Sequence, residues 1–148
     1  MEFPIFPLSG AVLFPRTTLP LNIFEKRYLD MVDYALANKR LIGMIQTKEN
    51  NELYNFGCLG KITSFNETED GRYLISLEGL SIFEIKKELK VKHLFRMIDA
   101  NLISKKNENE QTFEGGLLKK KILEQYKKII LKNNINFDLK EIQNLELD

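Results

Sequence analysis

Covalent or metal chemistry in this chain would have to start from its one histidine and one cysteine, His93 and Cys58. A Ser or Cys nucleophile needs a base beside it, and His93 lies in the basic stretch Lys90-Val91-Lys92-His93-Leu94, remote in sequence from Cys58. The plain reading of His93 is a solvated or hydrogen-bonded side chain. Cys58 stands between Gly57 and Leu59 at a strand entrance, with only Lys61 close in sequence to lower its pKa, so it reads as a small buried apolar residue. One Cys and one His cannot build a Cys/His zinc site, and a lone Cys closes no internal disulfide. No metal, no cofactor and no catalytic residue are expected.

Phosphate chemistry finds no better footing. Gly57-Cys58-Leu59-Gly60-Lys61 joins glycines to a lysine, but the spacing is not G-x-x-x-x-G-K-[ST], and a strand follows where a helix should open. Gly115-Gly116 lies near a helix start with no strand leading into it. The carboxylates Glu67, Glu69 and Asp70 fall in a turn, where exposure accounts for them. Lys119-Lys120-Lys121 is the basic run, yet successive helical residues fan out by about 100°, so its three charges cannot share one face. Glu124 is spaced to pair with Lys120 or Lys128.

The best-marked stretch is apolar and Pro-rich: Phe6-Pro7-Leu8, Leu13-Phe14-Pro15, Leu19-Pro20-Leu21 and Ile23-Phe24-Glu25-Lys26-Arg27-Tyr28. Each proline fixes its own φ and biases its predecessor toward β or PPII, so these segments are extended. Their bulky residues must pack in a core that docks a helix onto a sheet, or line a groove for extended peptide.

The elements that position these residues are mostly strands. Leu41–Gln46, Gly60–Phe65, Arg72–Glu78, Ser81–Lys86 and Phe95–Ile103 read as strands from β-branched and aromatic content or period-two alternation. Glu69-Asp70-Gly71 is a hairpin turn, and Gly79 is read as separating the next two strands in the same way. One helix interrupts them, with Tyr28, Met31, Val32, Ala35 and Leu36 on one face. Asn22 with Glu25 offers a capping-box start, Glu25 itself is the alternative opening, and Lys39 and Arg40 close the helix. After Ser104 the polar stretch Lys105–Gln111 reads as a loop. A helix follows from about Thr112 or Phe113 to Asn133, with Leu118, Ile122, Tyr126, Ile129 and Ile130 along one side. A further helix is expected over Leu139–Leu147. The fold class is therefore α+β, mainly β. Its short, mostly antiparallel strands close into a barrel or folded sandwich over residues 1–104, and a helical segment spans 105–148.

Composition narrows the classes further. The chain has 148 residues, 43% hydrophobic and 29% charged, enough for a core of its own without staples. Lys+Arg 22 against Asp+Glu 21 leaves a net charge of +1, too little to supply a general attraction for phosphate backbones. The N-terminal Met1–Pro7 carries an acid and two prolines where a signal peptide needs positive charge and an apolar helix. The apolar run Ala11–Phe14 is far short of the ~20 residues that span a bilayer. A cytoplasmic protein with no membrane association is expected.

The Pro-rich stretch, from Phe6-Pro7-Leu8 through Leu13-Phe14-Pro15 and Leu19-Pro20-Leu21-Asn22-Ile23-Phe24-Glu25-Lys26-Arg27-Tyr28 to Met31, resembles the Lon substrate-binding domain. Leu41-Ile42-Gly43-Met44, Gly57-Cys58-Leu59-Gly60-Lys61-Ile62, Asp70-Gly71-Arg72-Tyr73 and Leu77-Glu78-Gly79-Leu80 extend the likeness in order over about residues 3–100. Arg16 stands where the family often has Gly after Phe-Pro, and Lys26 where it often has Pro. Family members usually continue into a longer helical bundle, so this chain reads as a cut piece or a reduced, stand-alone bacterial member. The resemblance implies a PUA-like pseudo-barrel followed by C-terminal helices. It also implies a non-catalytic module that captures unfolded or degron-bearing polypeptide, or a protein partner, in concert with a separate ATPase and protease. No Walker motif and no room for a peptidase domain are present.

On that reading the peptide- or partner-binding residues are Phe14, Pro15, Pro20, Phe24, Arg27 and Tyr28, with Arg27 and Glu25 alternatively holding helix to barrel. An RNA-binding module is the competing reading, since PUA-like folds also host RNA readers; the near-neutral charge argues against nucleic acid. An enzyme on this barrel comes third, with no constellation to nominate, and an assembly domain that forms a homodimer through its C-terminal helices is a further reading.

Overall fold

The computed structural model describes residues 1–103 and 113–132, the side chains of 113–116, 130 and 132 excepted. The expected boundary at 104/105, the loop at 105–111, the helix at 139–147 and the side chain of Ile130 lie outside the described residues. Within them the order is β1 (Glu2–Pro7), β2 (Thr18–Ile23), α1 (Lys26–Ala37), β3 (Leu41–Ile45), β4 (Phe56–Glu67), β5 (Tyr73–Leu89), β6 (Arg96–Leu102) and α2 (Phe113–Lys132).

The two extended Pro-rich segments become strands whose prolines sit where no ladder donor is needed. In β1, Pro4 faces Met97 of β6, while the parallel pairing to β3 begins only at Ile5. In β2, Pro20 lies on a strand that pairs with β5 alone, so its missing N–H falls at a sheet edge. All pairings other than β1–β3 are antiparallel, in the order β2-β5-β4-β3-β1-β6.

A β5–β6 pairing closes this sheet. One edge of β5 follows β4; along the other, residues 73–78 pair with β2 and residues 83–89 with β6. Five strands thus form a ring, and β2 is an outer sixth. The two strands expected on either side of Gly79 are one strand, because Gly79 makes room for a crossing chain rather than turning. A Cβ there would lie 1.9 Å from the carbonyl oxygen of Phe14. The crossing loop is pinned by Arg16 N–H donating to Gly79 O at 2.8 Å and Gly79 N–H donating to Thr17 O at 2.9 Å. Arg16 itself has φ +67°, so the family's frequent glycine would fall in the left-handed region that glycine reaches at no cost. The Asp70-Gly71 hairpin is present, with Gly71 at φ +84°.

The ring interior holds Phe3, Ile5, Ile45, Leu59, Phe83, Ile98 and Ala100, contributed by all five strands. Phe3 and Phe83 meet edge to face at 5.0 Å, and Gly43 and Gly57 leave space for their rings. A second, larger cluster lies outside the ring. There α1 buries Tyr28, Met31, Val32 and Ala35, and α2 buries Ile122, Tyr126 and Ile129. Over Ile122, Tyr126 and Ile129 the apolar stripe of α2 packs on its own barrel. Gln125 fixes the helix, its amide nitrogen donating to Phe56 O at 2.8 Å and its amide oxygen accepting from Phe56 N–H at 3.1 Å. The Asn22 capping box does not form: Asn22 belongs to β2, and Glu25 is the N-cap residue without a side-chain cap bond. At the far end Asn38 Nδ2 donates to Tyr34 O at 2.7 Å, and Arg40 takes positive φ.

Candidate functional site

The end of β1, the end of β2 and the first turn of α1 converge because Phe6 and Tyr28 stack, with ring centroids 4.3 Å apart. Tyr73 on β5 reinforces the seat of α1, its hydroxyl donating to Asp33 at 2.9 Å. At this junction two cavities of about 200 Å³ each open to solvent and share the wall Pro7–Arg27–Tyr28. One is lined chiefly by Phe6, Leu8, Leu21, Ile23 and Phe24. The other takes Thr47, Asn51, Leu94, Phe95 and Arg96 from across the barrel end. Together they form a groove with an apolar half and a cationic half.

Phe24, 69% exposed, stands at the mouth of the apolar half; Leu94, also 69% exposed, stands at the mouth of the other. Two large apolar side chains in water beside one groove are worth noting, where scattered single ones would not be. Arg27 lays its guanidinium over the Tyr28 ring, 4.7 Å from the centroid, and pairs with Glu25 at 3.1 Å. That ion pair lies within one turn and does not join helix to barrel. Arg96 donates from Nε to Glu88 at 2.5 Å and from Nη1 to Asn51 O at 3.2 Å. Burial pushes the Tyr28 phenol above its ordinary pKa, with Arg27 pulling the other way.

Of the six residues expected at a binding surface, Phe24, Arg27 and Tyr28 come together in the groove. Pro20 is exposed on β2 outside it, in the middle of the free edge, where it offers an incoming strand a carbonyl but no N–H. Phe14 and Pro15 are buried: Phe14 is 4% exposed, its ring 5.1 Å from that of Tyr126, and its backbone crosses Gly79. Sequence reasoning did not include Leu94, Phe95 and Arg96. Their signal was an apolar pair next to a cation where the basic stretch 90–93 meets the following strand.

The residues first considered for chemistry are placed elsewhere. Cys58 is buried, its thiol pushed well above the ordinary range by desolvation, and its Sγ lies 3.7 Å from Leu59 O. His93 stacks on Phe95 at 4.6 Å and 10°, with Tyr34 tilted beside it at 5.2 Å. Among the described residues no group of three or more His, Cys, Asp or Glu is placed to hold a metal ion.

The described residues form a small closed barrel with two helices packed on its outer face and two adjoining cavities open at one end. A family model for the ATP-dependent protease La (LON) substrate-binding domain matches residues 2–147, and the chain belongs to that family. Related proteins include a Lon protease of Desulfosudis oleivorans, 25% identical over 117 residues, and Lon protease 1 of Bdellovibrio bacteriovorus, 33% identical over 83 residues. These alignments cover 74% and 51% of this chain but only 14% and 10% of the relatives, so the chain spans a small part of their length. A Lon N-terminal domain protein from Xanthomonas campestris superposes with a TM-score of 0.62 at 25% identity, over 87% of this chain and 75% of that one. The N-terminal domain of Mycobacterium avium complex Lon protease, 13% identical, has the same fold, with a TM-score of 0.61 over 98% of this chain and 76% of that one. No described helix is long and apolar enough to cross a membrane.

Proposed function

We propose that this chain is a non-catalytic recognition module that captures unfolded or degron-bearing polypeptide in the groove between β1, β2 and α1. The captured chain would pass to an ATP-driven protease in the bacterial cytoplasm. The carrying observation is the exposure of Phe24 and Leu94 at the mouths of two adjoining cavities that share Pro7, Arg27 and Tyr28, on the fold of a substrate-binding domain family. An extended segment laid there would bury these side chains and gain apolar contact, worth about 25 cal/mol per Å² removed from water.

The test is titration of the isotope-labelled chain with a reduced, alkylated and therefore permanently unfolded protein, followed by backbone amide shifts. Shifts should gather at Leu21–Tyr28 and Leu94–Arg96. A Phe24→Ser/Leu94→Ser variant should lose at least tenfold in affinity while its stability stays within about 0.5 kcal/mol, as expected of surface changes. Undiminished binding by that variant would overturn the reading. So would binding of single-stranded RNA, with a steep salt dependence, in place of polypeptide.

A further inference from the structure

The two halves of the groove differ in chemistry, and we infer that the segment it takes is a stretch of chain in which a large apolar side chain stands two residues from an Asp or Glu. This rests on the function proposed above and specifies its ligand. The apolar half has Phe24 at its mouth and Glu25 as its one acid. The other half is lined by Arg27 and Arg96, and no carboxylate lines it. Both guanidiniums act on the Tyr28 phenol, which stands in the shared wall.

Pro7, Arg27 and Tyr28 wall both halves, which therefore adjoin, and an extended chain advances about 6.6 Å over two residues and returns to the same face, so residues i and i+2 of one segment suit the two halves. Arg27 lines both halves and Glu25 offsets it in the apolar one, whereas the other half adds Arg96, which favours that half for the acid. A Lys or Arg of the segment would meet two guanidiniums there. The present partners of these arginines are solvated carboxylates, with the Glu25 side chain 49% and that of Glu88 44% exposed. Such pairs exchange readily for an incoming carboxylate, and a planar guanidinium suits bidentate recognition.

The experiment uses three blocked peptides, Gly-Ser-X-Leu-Phe-Ser-X-Ser-Gly, in which X is Asp, Asn or Lys, titrated into the full chain. All three should shift amides around Phe24–Tyr28. The Asp peptide should bind about fivefold more tightly than the Asn peptide, and the Lys peptide more weakly than either; about 1 kcal/mol is that fold-change converted. The Asp advantage should shrink in about 0.5 M salt, because the site is open to solvent. In an Arg27→Gln/Arg96→Gln variant the ratio of Asp-peptide to Asn-peptide affinity should fall below twofold, whatever change the two peptides share. Equal binding of the Asp and Asn peptides, or an Asp advantage that survives in the variant, overturns this inference and leaves the groove standing. Absence of groove shifts with all three peptides overturns the proposed function itself, and this inference with it.

Discussion

Cys58 and Tyr126 are neutral acids held away from water, and burial raises both pKa values above their ordinary 9.0 and 10.0. The consequence for stability has a definite sign. In alkali the unfolded chain releases these protons and the folded chain keeps them, so the unfolded state binds fewer and stability falls as pH rises. Chemical denaturation at stepped pH should show full stability below about pH 9 and a progressive loss above it. Cys58→Ala should make that loss shallower. A thiol reagent at neutral pH should leave Cys58 unmodified in the native chain and react on unfolding, since the thiolate is the nucleophile. Phe24 and Phe14 show the same scale from the binding side. Both are phenylalanines in one Pro-rich stretch, yet one is exposed at a groove mouth and the other buried under α2.

The element whose behaviour most shapes the molecule is β5, which changes partners from β2 to β6 as the Phe14–Thr17 loop crosses it. Gly79→Ala places a methyl group against the Phe14 carbonyl, which is backbone and cannot swing aside. A loss of about 3 kcal/mol or more is expected, measured as a lowered urea midpoint, because the crossing loop and strand must separate. The attachment of α2 is the second case. Gln125 answers both backbone groups of Phe56. Gln125→Leu keeps a helix former but orphans that N–H and carbonyl, and should cost about 1–3 kcal/mol. Hydrogen exchange would register it as faster exchange confined to α2 and the start of β4.

Across the whole molecule, the barrel ring encloses one apolar cluster, and a second cluster joins the ring's outer face to α1 and α2. Because α2 contributes Ile122, Tyr126 and Ile129 to the cluster that also holds barrel residues, helix and barrel should unfold together. Far-ultraviolet circular dichroism and tyrosine fluorescence, usable because the chain has no Trp, should give coincident transitions. Two separated transitions would instead establish the 1–104 and 105–148 segments as independent units. The groove belongs to this scale as well, since its walls come from β1, β2, α1, the connection from β3 to β4 and the entry into β6, positions up to 90 residues apart in sequence.

The sequence by itself determined the local pieces: the strand segments from alternation, the Asp70-Gly71 hairpin, the buried face of α1 and the family from its spaced motifs. These are legible because a period or a turn chemistry acts between residues a few positions apart. Gly79 was legible as a glycine that matters, though not as the point where another chain passes, because the obstacle comes from Phe14, 65 residues earlier. The Pro-rich stretch has no fixed period, so nothing local separates Phe14, covered by Tyr126, from Phe24, left in water. Leu94 and Arg96 joined Phe24 and Arg27 only when the β5–β6 pairing closed the ring and carried the loop before β6 to the start of α1. Burial and site membership follow from which distant surface arrives, and that the tertiary structure alone decides.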